Sequence, residues 1–129
     1  MNPSNANIKT FRDLDVYQLG FGLQHSLFVL SRRWPREEAY SLTDQARRSS
    51  RSIGANLAEA WGKRRYPAHF LSKLTDADGE LQETLHWLSS ATDCGYIDAA
   101  ELPELEHGYA RVGKMLGSMI AHHEKFCVH

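Results

Sequence analysis

The chain has 129 residues, of which 42% are hydrophobic and 24% are charged, values that are ordinary for a single globular domain with one core. Its net charge of −1 at pH 7 excludes binding of nucleic acid through bulk positive charge, but not through a local basic patch. Basic residues concentrate between Arg32 and Lys73, and acidic residues between Asp76 and Glu106. This asymmetry predicts a polarised surface or complementary faces between subunits.

The sequence carries no signal for export or for a membrane. Its first ten residues, MNPSNANIKT, lack the apolar core of a signal peptide, and no apolar run approaches the roughly 20 residues that cross a bilayer. Cys94 and Cys127 form no closely spaced pair, which favours reduced thiols. We therefore expect a cytoplasmic protein with no membrane contact, a flexible tail over residues 1–10, one domain over 11–126 and a short tail over 127–129.

The first predicted helix covers about residues 13–33 and ends before Pro35, because the residue that precedes a proline disfavours the helical conformation. Apolar residues occupy two sides of this helix at about 100° per residue. One stripe contains Leu14, Tyr17, Phe21 and Phe28, and the second contains Val16, Leu19, Leu23, Leu27 and Leu30. A helix that is apolar on two sides must be buried on two sides. Since a small bundle covers only one of them, we predict that the second stripe forms a subunit interface.

Three further helices follow. The second begins near Ser41 and extends to about residue 65. The third covers residues 67–93, because Pro67 is tolerated in a first turn and Gly95 can end a helix. The fourth is predicted to begin at Asp98, where DAAE suggests a capping box. The predicted core stripes of these helices are Leu42, Ala46, Ser49, Ile53, Leu57 and Ala60; Phe70, Leu74, Ala77, Leu81, Leu85 and Leu88; and Leu105, Tyr109, Val112, Leu116, Met119 and His123.

Four amphipathic helices with short connections favour antiparallel neighbours. No segment has the alternating pattern of a useful strand. The predicted fold is therefore all-α, an up-down-up-down four-helix bundle.

Two pairs of residues match the Glu-x-x-His spacing of di-iron bundles, Glu83 with His86 and Glu104 with His107. Metal ligands would have to face the interior of the bundle, whereas the helical wheel points these pairs away from the core stripes. The terminal segment HHEKFCVH fits no closed zinc site. The serines of helix 2 lack a matching His and carboxylate, and no glycine-rich phosphate loop is present. We expect no metal, no cofactor and no catalytic residue.

Helix 2 combines its core face with two polar faces. A polar stripe beside the core contains Gln45, Arg48, Ser52, Asn56 and Glu59, and the far side carries Arg47, Arg51 and Arg65. In a structural interpretation the polar stripe hydrogen-bonds to neighbouring helices and sets their register. In a nucleic-acid interpretation these arginines contact phosphates, with Arg32, Arg33 and Arg36 as further candidates, and Trp61 or Tyr66 stacks on an unpaired base. In a third interpretation Arg48, Asn56 and Glu59 line a pocket for a small molecule.

Three segments carry a resemblance to a known family. FRDLDVY (residues 11–17) opens helix 1, GELQETL (residues 79–85) lies in helix 3, and LTDQARRSSRSIGANLAEA (residues 42–60) is the most specific. From Phe11 to about Ile120 the chain resembles the small four-helix bundle proteins encoded within intervening sequences of bacterial 23S rRNA genes, which are similar to the accessory variability proteins of diversity-generating retroelements.

The resemblance implies a homopentameric ring without catalytic activity, and a link to RNA or to a nucleic-acid-processing protein such as a reverse transcriptase. We therefore predict a non-enzymatic accessory or scaffold protein that binds RNA through Arg47, Arg51 and Arg65. The alternative is a purely structural or protein-partner module that binds no nucleic acid. The acidic residues of helix 3 discriminate between the two, because acids on the same surface as the arginines would neutralise them.

Overall fold

Four long helices account for most of the residues that the computed structural model describes, 7–128. They are α1 (Asp15–Ser31), α2 (Leu42–Gly62), α3 (Pro67–Asp93) and α4 (Leu102–Ala121). Short 3-10 turns lie at Phe11–Asp13, Arg36–Glu38 and His123–Phe126, and the described range contains no strand. None of the described helices is long and apolar enough to cross a membrane.

The helices pack in chain order around one core. α2 packs most extensively against α3, α1 packs against α2, α3 against α4, and α4 returns to α1. This closed order confirms the predicted all-α four-helix bundle. Every residue in the predicted core stripes of helices 2 to 4 is buried except Leu85 and His123, which are half-buried.

The ends of α3 and α4 differ in how well local sequence predicts them. α3 begins at Pro67 and ends at Asp93, as predicted, and Gly95 adopts the left-handed φ of +79° after it. The capping box predicted at Asp98 is wrong. The Asp98 carbonyl accepts hydrogen bonds from the backbone N–H groups of Glu101 and Leu102, at 2.9 and 3.4 Å. These residues form a turn, and α4 begins only at Leu102.

The subunit interface predicted for the second stripe of α1 is wrong, because this stripe lies in the chain's own core. Val16, Leu27 and Leu30 are at most 6% exposed, and Leu19 and Leu23 are half-buried against the same core. Leu23 packs so closely on Gly108 of α4 that a Cβ at Gly108 would clash with it. Since α2 and α4 flank this side of α1, the bundle itself covers the stripe.

The other apolar stripe of α1 is covered only in part. Tyr17 lies against Gly54 of α2, where an added Cβ would stand 3.3 Å from its ring. Phe21, however, is 53% exposed, and Val29, outside the stripe, is 47% exposed. The apolar surface that α1 leaves open is therefore the outer side around Phe21 and Val29.

The packed part of the chain extends beyond the predicted domain limits. Ile8 is buried in the core, and the Thr10 side chain caps the first 3-10 turn. At the other end, Cys127 is half-buried, and the backbone N–H of Val128 donates to the Arg64 carbonyl at 3.2 Å. The remainder of the two predicted tails, residues 1–6 and His129, lies outside the described residues.

Candidate nucleic-acid interface

Three arginines gather around one aromatic ring where the C-terminal end of α1 lies beside α2. The guanidinium carbons of Arg47, Arg51 and Arg32 lie 4.6, 5.7 and 6.0 Å from the centroid of the Phe28 ring. A cation is attracted to the negative face of an aromatic ring at such distances. We call Arg32, Arg47 and Arg51 the basic cluster.

Arg47 is the fixed member of the basic cluster. Its Nε donates a hydrogen bond to the Ser31 hydroxyl at 2.8 Å, and that hydroxyl donates to the Phe28 carbonyl at 2.9 Å. Partial burial, followed by the positive charges of Arg51 and Arg32, lowers the pKa of Arg47 from its usual range. The guanidinium nevertheless stays charged at neutral pH, since an arginine starts from a pKa far above 7. The cluster is therefore a concentration of like charge in which Arg47 is held in place by packing and Arg32 and Arg51 are exposed.

The basic cluster forms no direct ion pair with any described residue. Within residues 7–128, none of its three arginines lies within 4.0 Å of a carboxylate oxygen. Glu101 lies near the cluster, since this acid pairs with Arg33 and lines the same depression as Arg32.

The acids of α3 belong to a different surface: Asp76 and Glu80 line a shallow depression beside Asn56 of α2. The sequence left open whether the acids of helix 3 would pair with the arginines of helix 2. For Arg47 and Arg51, within one chain, they do not.

Glu80 is held in an unfavourable setting for its charge. Burial, and then the hydrogen bond and the negative charge of neighbouring Glu83, raise the pKa of Glu80, while Arg48 acts in the opposite direction. Arg48 is therefore close enough to Glu80 for its charge to act on that carboxyl.

Arg65 does not join the basic cluster, although the helical wheel placed it beside Arg47 and Arg51. α2 ends at Gly62, so Arg65 lies in the turn that follows, and Arg51 is about 17 Å from that helix end at 1.5 Å per residue. Trp61 is only 7% exposed, and the Arg64 guanidinium covers its ring at 3.7 Å. The prediction that Trp61 stacks on a base is therefore wrong. Tyr66, the other ring predicted for that role, is 58% exposed.

The polar stripe of α2 follows the groove between α2 and α3 but forms few bonds across it. Glu59 pairs with Lys73 of α3 at 2.9 Å, whereas the Asn56 amide donates back to the Ser52 carbonyl of its own helix at 2.9 Å. The remaining members also lie at the surface: Gln45 is half-buried and Arg48 is exposed. The stripe is therefore not the buried network expected from the sequence.

A different pair joins α2 to α3 inside the core. The hydroxyls of Thr84 and Ser49 are hydrogen-bonded to each other at 2.9 Å, and both residues are at most 4% exposed. Each hydroxyl also reaches a carbonyl of its own helix, Thr84 that of Glu80 at 2.8 Å and Ser49 that of Ala46 at 3.2 Å. A buried hydroxyl must find a partner, so the bond between the two hydroxyls favours one register between the two helices. The sequence placed Ser49 on the core face but gave no sign of Thr84 as its partner.

The residues of the two Glu-x-x-His pairs lie at the surface, as the helical wheel predicted. His86, Glu104 and His107 are exposed, and Glu83 accepts a hydrogen bond from the Trp87 indole at 3.3 Å. Across residues 7–128, no three His, Cys, Asp or Glu side chains come close enough together to hold a metal ion.

Comparisons with known proteins identify the kind of bundle. Residues 12–118 match the model of a family described as 23S rRNA-intervening sequence protein. A crystal structure from Bacteroides thetaiotaomicron, of a protein with unknown function from the S23 ribosomal protein family, is 27% identical with a TM-score of 0.74. The match covers 82% of this chain and 95% of that one. No curated protein gives a significant match.

Proposed function

The chain belongs to the 23S rRNA-intervening sequence protein family, and from this premise we propose that it is a non-enzymatic, oligomeric scaffold of the cytoplasm that binds RNA through its basic cluster. The observation that carries the proposal is the gathering of Arg32, Arg47 and Arg51 around Phe28 without an ion pair to any described carboxylate. Like charges held together repel one another, and a bound polyanion relieves that repulsion. Arg47 and Arg51 keep the role predicted from the sequence, Arg32 replaces Arg65, and the proposal includes no catalytic role.

The position of the acids supports the same function. Asp76 and Glu80 lie beside Asn56, on the α2–α3 side, while the basic cluster lies where α1 meets α2. A net charge of −1 is therefore compatible with a positive surface, because these acids of α3 lie away from the cluster's two arginines on α2, while Glu101 pairs with Arg33 and not with the cluster. Binding to RNA through such a surface is electrostatic and weakens with salt.

The first experiment measures binding of a structured RNA by fluorescence anisotropy at low salt. Replacing both Arg47 and Arg51 with Ala should weaken binding by about tenfold or more, since hydrogen bonds to charged groups each contribute about 1.5–3 kcal/mol. The matched control replaces Arg111 and Lys114, two exposed cations of α4, and should change affinity little. Complete absence of binding by the unaltered protein would favour the structural or protein-partner alternative.

Self-association is the second part of the proposal, and we place its contact on the outer side of α1. Phe21 and Val29 expose about half of their surface there, and exposed apolar residues on one helix side are typical of a protein–protein contact. Gly22 and Ser26 lie between them in sequence, and both are exposed. In a ring of five copies, as proposed from the family resemblance, the basic cluster would be repeated and its weak contacts would gain avidity.

The second experiment separates assembly from folding. Phe21→Glu with Val29→Glu should convert the oligomer to monomers in sedimentation velocity, while the helical circular dichroism signal is retained because neither side chain belongs to the core. Tyr40→Glu serves as the control, since Tyr40 is 98% exposed and lies outside α1. A double variant that keeps the mass of the unaltered oligomer would contradict this assignment of the interface.

A further inference from the structure

The aromatic ring inside the basic cluster is not available to a nucleic-acid base. Proteins that bind single-stranded nucleic acid stack successive bases on accessible aromatic side chains. Phe28 is half-buried, and the three guanidinium groups lie within 6.0 Å of its ring centroid. A base would have to displace these arginines in order to stack on Phe28, so the cluster presents charge and no stacking platform.

The exposed aromatic residues elsewhere do not supply the missing platform. Tyr40 is 98% exposed and Tyr66 is 58% exposed, but among the described contacts no arginine of the basic cluster lies over either ring. Tyr66 lies beyond the end of α2, beside His69 with ring centroids 5.7 Å apart. Phe21 stacks on Tyr17 with centroids 5.8 Å apart and belongs to the side of α1 proposed for self-association. The aromatic rings and the basic cluster are therefore separate features of the surface.

One charge of the cluster, that of Arg47, is held at a set position. Arg47 is anchored by its hydrogen bond to Ser31 and by the Phe28 ring. Arg51 follows it by one helical turn, a rise of about 6 Å. Groups that are already ordered lose less entropy on binding, provided that the ligand presents its own groups at matching positions. A duplex holds its phosphates in a regular array, whereas a flexible single strand must be ordered by stacking.

From these observations we propose that Arg32, Arg47 and Arg51 bind the phosphate backbone of double-stranded RNA and make no stacking contact with unpaired bases. This inference rests on the proposed RNA-binding function and specifies the form of RNA that is bound. Duplex RNA is recognised mainly by its shape and through phosphate and 2′-hydroxyl contacts, without reading of base edges. A basic cluster that is anchored at Arg47 and has no free ring fits that mode of recognition.

The test compares two probes with the full chain at about 50 mM salt: a mixed-sequence RNA duplex of roughly 20 base pairs, and one of its strands chosen to lack self-complementarity. The duplex should bind at least about fivefold more tightly than the strand, because no stacking contact favours the strand. Arg47→Ala with Arg51→Ala should weaken duplex binding, and the Arg111→Ala with Lys114→Ala control should not.

Three further variants examine the exposed rings directly. Tyr40→Ala and Tyr66→Ala each remove one ring, and Phe21→Leu removes the third while it keeps an apolar side chain at the proposed interface. Each variant should bind each probe within about twofold of the unaltered protein, whereas loss of a stacked base would weaken binding by about fivefold or more.

The outcomes distinguish this inference from the function on which it rests. Equal or tighter binding of the single strand, or a loss of about fivefold in any of the three ring variants, would overturn the duplex inference and leave the RNA-binding proposal in place. Absence of binding to both probes would refute the proposed function and, with it, this inference.

Discussion

Leu27 and Phe21 lie on different sides of α1. Truncating each side chain in turn should therefore show which side of the helix is in the core and which is at the outer surface. Leu27 is 0% exposed, whereas Phe21 is 53% exposed. Leu27→Ala deletes buried carbon atoms and leaves a cavity, so it should lower the free energy of unfolding by about 3 kcal/mol. Burying a whole Phe side chain contributes about 1.5–3 kcal/mol, and Phe21 buries about half of that surface, so Phe21→Ala should cost about 1 kcal/mol.

Urea denaturation followed by circular dichroism measures both costs. It should be run at two protein concentrations, because dissociation of an oligomer makes the apparent stability depend on concentration. We expect Leu27→Ala to lower stability equally at both concentrations, and Phe21→Ala to change the concentration dependence. If Leu27→Ala instead costs less than about 1 kcal/mol and releases monomers, the second stripe of α1 is a subunit interface after all and our placement of it in the core is wrong.

Other predictions concern single contacts. Gly108→Ala should destabilise the protein by about 1 kcal/mol in thermal or urea unfolding. Overpacking against Leu23 costs about 1–3 kcal/mol, and the better helix propensity of Ala offsets at most about 1 kcal/mol of that. A stabilised variant would refute the close α1–α4 contact. Thr84→Val should cost about 1 kcal/mol, and combining it with Ser49→Ala should cost less than the sum of the two, since either single change already removes the bond that joins the two hydroxyls. Additivity of the two changes would show that the bond contributes nothing. Glu80→Gln should stabilise the fold at pH 7 but hardly at pH 4. Because the pKa of Glu80 is raised, the folded state binds more protons than the unfolded state. The free energy of unfolding therefore falls as the pH rises above the usual pKa range of a glutamate. A benefit that is equal at both values of pH would contradict a pH-dependent cost of the Glu80 charge.

The sequence predicts the bundle well because helical periodicity is a local signal. Pro67 and Gly95 mark the two ends of α3 through backbone properties that belong to those residue types. Asp98 shows the limit of this reasoning, since the DAAE pattern suits both a capping box and the turn that precedes α4. The difference depends on where the packed part of α4 begins, and that is a property of the whole bundle.

The side of α1 that is buried could not be predicted, because both stripes are apolar. Burial depends on which helices flank α1: α4 brings Gly108 against Leu23, and α2 brings Gly54 against Tyr17. The small residues that permit these close approaches lie far away in sequence. Their effect appears only once the helices are assembled.

The basic cluster was predicted in part. The helical wheel grouped Arg47 with Arg51 correctly, since both lie within the regular helix. It added Arg65 because the predicted helix extended three residues past Gly62. It could not find the role of Phe28, which meets Arg47 through the antiparallel register of α1 and α2 and not through any spacing within one helix.

The salt dependence of duplex RNA binding tests the central claim most directly. If the three arginines each displace a counterion, log K should fall with log salt with a slope of about −2.7 per cluster, or roughly a fortyfold loss of affinity between about 50 and 200 mM salt. Arg47→Ala with Arg51→Ala should reduce that slope to about a third, while Arg111→Ala with Lys114→Ala should leave it unchanged. A slope that is the same in the unaltered protein and in the Arg47, Arg51 variant would contradict RNA binding through the basic cluster.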